Sequence, residues 1–481
     1  MLARLSGAII VVLAILVGFR FVESMPFTAS DGRKQVATGA IVLGTQAFKA
    51  HPHGSHPGRG LGLTKKTPTT TAPTPISITT VAPSTTSSPP TSAPVTTAPS
   101  TTSASTSAPS TSSTTAAPST TTPPATTTTA TAGAPAGAVV IQPGSNVQSI
   151  VNSKPAGSTF YFLAGSYSGQ TIAPRNGDVY LAQPGAVLTG NNQVEFAFRS
   201  SASNVKIQGF VVEKYANVAG SGAIDGAGTA WSIVGNEVRY NWGGGITLGD
   251  GYQVIGNYVH HNLQIGIKGD GTNVLIEGNE IAFNNHLDDY DMSWEAGGTK
   301  FVNTSNLVVR GNYVHSNHGH GLWTDGVDGF TLYENNTVLN NFGSGIFHEI
   351  SVAAVIRYNR VEGNAFPHSI GGIKVANSVD VEVHNNVVSN NDGGIVGGQD
   401  DRGSFLLKNL WVHDNAVSFS QGWNGVYENF GGTVLYTGHN NRFDANSYST
   451  GGASKPMFWM DTQRSVNEWL GYGLDVNGSF N

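Results

Sequence analysis

The chain has 481 residues, with 61 Gly, 22 Pro and no Cys, and only 12% of it is charged. The absence of Cys excludes a disulfide scaffold, a thiolate metal site and a cysteine nucleophile. The net charge of −6 is an average. Residues 1–138 carry eight Lys/Arg against Glu23 and Asp31, and the remainder carries 17 against 29 acids. An acidic main domain argues against nucleic acid as a partner, because that surface must be basic.

Leu5 to Phe19 is an uncharged, mostly apolar run between Arg4 and Arg20. Its length suits the core of a signal sequence and is short for a membrane span. Residues 1–24 are expected to be either a cleaved signal peptide or an uncleaved signal-anchor. Both predict export, to the extracellular space or cell envelope, and the second adds membrane contact through this segment. Residues 25–66 form a basic linker in which Gly and Pro surround His51, His53 and His56. From Thr67 to Ala132, 62 of 66 residues are Ser, Thr, Pro or Ala. Such a tract buries too little apolar surface to offset its ordering entropy, so residues 67–138 are expected to be a disordered stalk.

Residues 139–481 carry an internal repeat. The triplet Asn-x-[Val/Ile/Phe] starts at Asn236, Asn257, Asn279, Asn312, Asn336, Asn359, Asn386, Asn415 and Asn441. A second Asn follows five residues later in eight of the nine cases, with Ser420 as the exception. Gly-Ile or a near equivalent comes next in most repeats, as at Gly266-Ile267 and Gly345-Ile346. The apolar runs are short and alternate with period two, which excludes helices. Asn tolerates the left-handed backbone of a tight bend. Stacked coils would superimpose the Asn residues, so their amides hydrogen-bond along the stack while Val and Ile fill the bore. The expectation is an all-β, single-stranded parallel solenoid. Bare end coils would expose core. A short amphipathic helix around Val147, Ile150 and Val151 and a capping box at Ser465 and Glu468 are expected to close the two ends.

These repeats resemble the right-handed parallel β-helix family, the superfold of pectate lyases, polygalacturonases, alginate epimerases and nitrous-oxide accessory proteins. The resemblance covers about residues 138–481. It implies a polysaccharide as the commonest class of partner and leaves the reaction open. The Asp-Pro-His motif of alginate epimerases and the Arg-x-Pro-x-x-Arg pattern of pectate lyases are absent. A loose echo of polygalacturonases runs through Asp270, Asp288-Asp289, Gly319-His320-Gly321 and Ile373-Lys374.

Alternation places two outward columns beside the Gly-Ile positions. The first reads Thr247, Lys268, Lys300, Trp323, Phe347, Lys374, Val396 and Tyr427; the second includes Asp270, Asp325 and Glu349. Asp325 and Glu349 are expected as acid, base or nucleophile, about 5 Å apart if they stand on neighbouring rungs. Lys300 and Lys374 are expected to bind substrate or abstract a proton. His320, at a Gly corner, is the candidate proton carrier, and His348 is expected to face inward. Trp323, Trp294, Phe347, Lys268 and Glu295 are expected to bind sugar. The 33-residue spacing after Asn279 marks an inserted loop bearing His286, Asp288, Asp289, Asp291, Trp294 and Glu295. Its aspartates are candidate ligands for a calcium ion, and no other cofactor is implied. The whole reads as a monomeric polysaccharide hydrolase or lyase, with a non-catalytic glycan-binding or adhesin module as the alternative. A metallochaperone role is disfavoured by the scarcity of Met, with five in all.

Overall fold

A computed structural model describes residues 133–365 and 371–481. These residues lie in the unit Pro118–Asn481. The candidate signal segment, the basic linker and nearly all of the Ser/Thr/Pro tract lie outside the described residues. No helix among the described residues is long and apolar enough to cross a membrane.

The chain winds into a β-solenoid of about 11 turns. A typical coil has three strands, as in Gly244–Leu248, Gln253–Ile255 and Tyr258–His260. Each strand pairs in parallel with its equivalent one coil on: Ile246 with Ile267, Val254 with Ile276, Val259 with Ile281. The strands Ile265–Glu277 and Gly297–Arg310 run unbroken through the first corner. They join the first two faces into one 23-stranded sheet, while the third face is a separate 13-stranded sheet. One inward residue per short strand, including Ile246, Val254 and Val259, is fully buried and fills the bore.

Two asparagine ladders mark the corners on either side of the third face. In the first, each amide donates to the next carbonyl: Asn257 Nδ2 to Asn279 Oδ1 at 3.0 Å, Asn279 to Asn312 at 3.0 Å, Asn312 to Asn336 at 2.9 Å. The same Oδ1 accepts the backbone N–H of the residue below, as Asn336 Oδ1 does from Asn312 N at 3.0 Å. Asn312 Nδ2 also donates to Ile276 O, so one buried side chain ties three coils. The second ladder runs through Asn241, Asn262, Asn284, Asn317, Asn341, Asn364 and Asn391 in the same way. It explains the Gly of Gly-Ile. A Cβ on Gly321 would lie 3.0 Å from Asn341 Nδ2 and 2.6 Å from Gly345 O.

The final repeat corrects the sequence reading. Asn415 donates to Asn446, at 2.9 Å, and not to Asn441. Asn446 therefore belongs to the first ladder, and Asn441 opens a second-face strand, Arg442–Asp444. Phe443 completes the triplet pattern in that strand and is buried, which disguised the shift. Both lids are where the sequence places them. The helix Val147–Asn152 buries Val147 and Val151 at the front. The helix Val466–Gly471 has the expected capping box and buries Trp469 at the back. Asp475 ends the first ladder there, accepting from Asn446 Nδ2 at 2.8 Å and Trp469 Nε1 at 2.9 Å.

Asn312→Ala removes a donor and an acceptor from the middle of a buried ladder. It is expected to lower unfolding free energy by about 3 kcal/mol, since each orphaned buried group costs about 1–3 kcal/mol. Chemical denaturation of the variant against the parent measures the loss.

Candidate active site

The outward residues of the first face form the site. The register puts Lys268 beside Lys300, Trp323 beside Phe347, and Phe347 beside Lys374. Phe301 pairs with Thr324, which sets Lys300 one rung from Trp323. Asp325 pairs with Glu349 on the next rung. The sequence reading of these columns holds from Thr247 to Val396. It fails at Tyr427, which pairs with Gly398 because Val426 aligns with Gly397. Asp270 is exposed and falls at an irregularity between Gly269 and Gly271, outside the paired column.

The acids and lysines converge. Lys300 Nζ lies 2.9 Å from Asp325 Oδ2 and 3.8 Å from the Trp323 ring centroid. It also donates to the Trp294 carbonyl at 2.6 Å. Lys268 Nζ pairs with Glu295 Oε2 at 2.7 Å. Lys374 Nζ lies 4.9 Å from the Phe347 ring and 5.8 Å from that of Tyr427. Burial lowers the Lys374 ammonium below its usual range, opposed by Asp400 and Glu349. Glu349 is 7% exposed. Burial, then the neighbouring Asp325, raises its carboxyl above the ordinary range, against the pull of Arg402, Lys374 and Lys300.

Trp323 and Phe347 point out of the bore but are not open platforms. Their rings stack at 5.6 Å and are only 2% and 6% exposed. Lys300 and Lys374 cover them, and His320 packs against both, 4.8 Å from Trp323 and 4.9 Å from Phe347. Sugar stacking on Trp323 and Phe347 would require those side chains to move, so the two rings are floor rather than walls.

His320 lies against the same two rings. It is buried, and its Nδ1 accepts the Ser344 N–H at 3.0 Å. Burial pushes its pKa to about 3, and Lys374 and Lys300 push the same way. Burial thus favours its neutral form, packed against the two aromatic rings. His348 faces inward as expected, with Nδ1 2.7 Å from Thr324 Oγ1, and burial pushes it to about 3.

The inserted loop walls the groove. Asn285 clamps its base, donating to Tyr290 O at 2.9 Å and His318 O at 2.8 Å and accepting from Tyr290 N. The short helix Met292–Glu295 follows, capped by Asp291 through Ser293 N. Trp294 is 56% exposed at the rim, a ring open for stacking. The calcium expectation finds no support in the geometry. Among the described residues no group of three or more His, Asp or Glu side chains is placed to hold a metal ion. Asp291, for one, serves as a helix cap, so Asp288, Asp289 and Asp291 are not gathered as a ligand set.

Three members were missed. Asp225 extends the first column, next to Thr247 and 3.5 Å from Arg199. Asp400 accepts from Tyr427 Oη at 2.9 Å and Asn429 Nδ2 at 2.7 Å. Arg402 reaches Glu349 Oε1 at 3.0 Å. The only sequence signal for the last two was the long spacing between Asn386 and Asn415.

With this geometry established, the comparisons are informative about fold. Residues 222–388 match the family model described as right-handed beta helix region. The fold of the described residues is a right-handed parallel β-helix. The mannuronan C-5 epimerase AlgE6 A-module of Azotobacter vinelandii superposes with a TM-score of 0.50 at 15% identity, over 69% of this chain and 93% of that one. The AlgE4 A-module of the same organism gives 0.48 at 15% identity, over 70% and 92%. The catalytic unit of a GH87 alpha-1,3-glucanase from Streptomyces thermodiastaticus gives 0.44 at 14%, over 73% and 70%. At these identities the likeness is one of fold. No curated protein matches the β-helix chain at the significance required.

The loop's hold on the groove is testable. Asn285→Ala is expected to speed limited proteolysis within residues 286–296 by roughly tenfold, the equivalent of about 1.4 kcal/mol of local hydrogen bonding. The solenoid's own melting should barely change, because the ladders are untouched.

Proposed function

We propose that this groove cleaves glycosidic bonds in a polysaccharide of a cell wall or matrix, by hydrolysis. The supporting observation is the pairing of Asp325 and Glu349 on neighbouring rungs in unlike surroundings. Rungs stand about 4.8 Å apart, near the roughly 5–5.5 Å separation of a retaining pair. Asp325 is ion-paired with Lys300, whereas Glu349 is buried and its proton affinity is raised. Environments that separate two carboxyls in this way assign one as base and one as acid.

In the proposed reaction Glu349 gives its proton to the glycosidic oxygen as the bond from that oxygen to the anomeric carbon breaks. Asp325 attacks the anomeric carbon and forms a glycosyl ester. Water, deprotonated by Glu349, then cleaves the ester and restores both residues. Trp294 stacks a sugar ring at the rim, and Lys268 and Glu295 hold the loop side. Under this reading the enzyme works outside the cell, as the apolar segment near its N-terminus suggests.

One observation favours a second reaction on the same groove. Lys374 is a buried amine with lowered proton affinity beside Glu349. Such an amine serves as base for β-elimination from a uronate.

A polysaccharide panel read for new reducing ends and for unsaturated products separates the chemistries. Hydrolysis yields reducing ends alone; β-elimination also yields the unsaturated chromophore. Binding without either product would leave a glycan-binding module. Glu349→Gln is expected to reduce kcat by about 100- to 10,000-fold while retaining polysaccharide binding. Wild-type kcat should fall as pH rises through the Glu349 pKa, because the acid must be protonated. That limb should lie above the ordinary carboxylate range, as the burial of Glu349 requires. A rate that instead climbs with pH would point to Lys374.

A further inference from the structure

The stretch following the strand Ile395–Gln399 leaves the solenoid and returns over the groove. Its course is fixed at several points. Asn377, in the left-handed region at φ 49°, accepts the Asp400 N–H at 3.0 Å and donates to Asp400 O and Phe405 O at 2.8 and 2.9 Å. Gln399 accepts from Leu407 N at 3.0 Å. Tyr427 and Asn429 hold the Asp400 carboxylate.

The two rungs beyond Glu349 carry almost no side chain in its column. Glu349 pairs with Ala376, and Ala376 with Gly398. A Cβ on Gly398 would collide with the Tyr427 ring, so that rung must stay bare. Beside these small residues Arg402, 53 residues along the chain, reaches Glu349 Oε1 at 3.0 Å. Its guanidinium is half exposed, while the carboxylate it meets is largely buried. Among the described residues it is the only hydrogen-bond donor to that carboxylate.

We infer that Arg402 is a positioning residue for the acid, its guanidinium fixing Glu349 Oε1 so that the carboxyl is presented to the groove in one orientation. The inference rests on the hydrolytic reading for its role in turnover. The contact itself makes a separate demand. A cation at this distance must hold the Glu349 proton affinity below what burial alone would give. The other charges around Glu349 are Asp325, Lys374 and Lys300. Of these, Lys374 also feels Arg402, whose loss raises the proton affinity of that amine and so keeps it charged beside Glu349.

The test uses the full chain and two readouts. Difference infrared titration, with Glu349→Gln as the blank, follows the Glu349 carboxyl directly. The pH profile of kcat follows it in turnover. Arg402→Ala is expected to raise the infrared midpoint by about one pH unit, the lower end of the range for an adjacent opposite charge. The alkaline limb of kcat should move by the same amount. Arg402→Lys should shift both less, because it keeps the charge and loses the planar fork. Arg360→Ala, which breaks an exposed pair with Glu362 on the third face, should move neither. An unmoved infrared midpoint in a folded Arg402→Ala protein would overturn the inference, and Arg402→Gln repeats the measurement should the alanine variant fail to fold. A shifted midpoint in a protein that cleaves no polysaccharide would support the positioning contact and sink the hydrolytic reading instead.

Discussion

Everything in this molecule depends on the coils stacking in register, and buried asparagine amides enforce that register. An Asn inside a corner has a donor and an acceptor that water cannot reach. Only the Asn above and the Asn below, with the adjoining backbone, satisfy both. A slip of one residue would strand these groups in every affected coil. Apolar packing alone is more forgiving, since Val and Ile columns tolerate small offsets. The ladders therefore convert a generally sticky bore into a stack of fixed spacing, and fixed spacing is what brings residues two dozen positions apart onto one surface.

Most of this was legible along the chain because the ladder residues recur at nearly constant offsets. Asn236 to Asn415, the second Asn of each pair and the Gly-Ile motif all follow from one repeating corner geometry. The reading slipped where the coil lengthened. Asn441-Arg442-Phe443 satisfies the same triplet as the true corners, yet it begins a different face. A one-dimensional pattern records that an apolar residue follows an Asn and does not record which face it opens. A separate misalignment shifted Tyr427 by two residues along its strand, from beside Val396 to beside Gly398.

The candidate site was legible in part for a related reason. Alternation predicts which side chains leave the bore, and it correctly aligned Asp325 with Glu349 and turned His348 inward. It is silent on what lies over them. Trp323 and Phe347 leave the bore and are then covered by Lys300 and Lys374, with His320 packed against both rings. His320 was chosen for its Gly corner, but burial between two aromatic rings and two lysines decides its protonation. Arg402 lay beyond any local rule, since its partner is 53 residues away and its route is set by Asn377 and Asp400.

The charge balance of the groove follows from these arrangements. Lys268 is matched by Glu295, Lys300 by Asp325, and Arg402 by Glu349. Two of those three pairs draw one partner from a loop rather than from the solenoid. The rigid face fixes rungs and spacing, while the loops supply counter-charges to Lys268 and Glu349. Each pair is at least partly desolvated, which strengthens its attraction beyond that of an ion pair in open water. The face therefore owes its counter-charges at Lys268 and Glu349 to segments that stand outside the asparagine ladders.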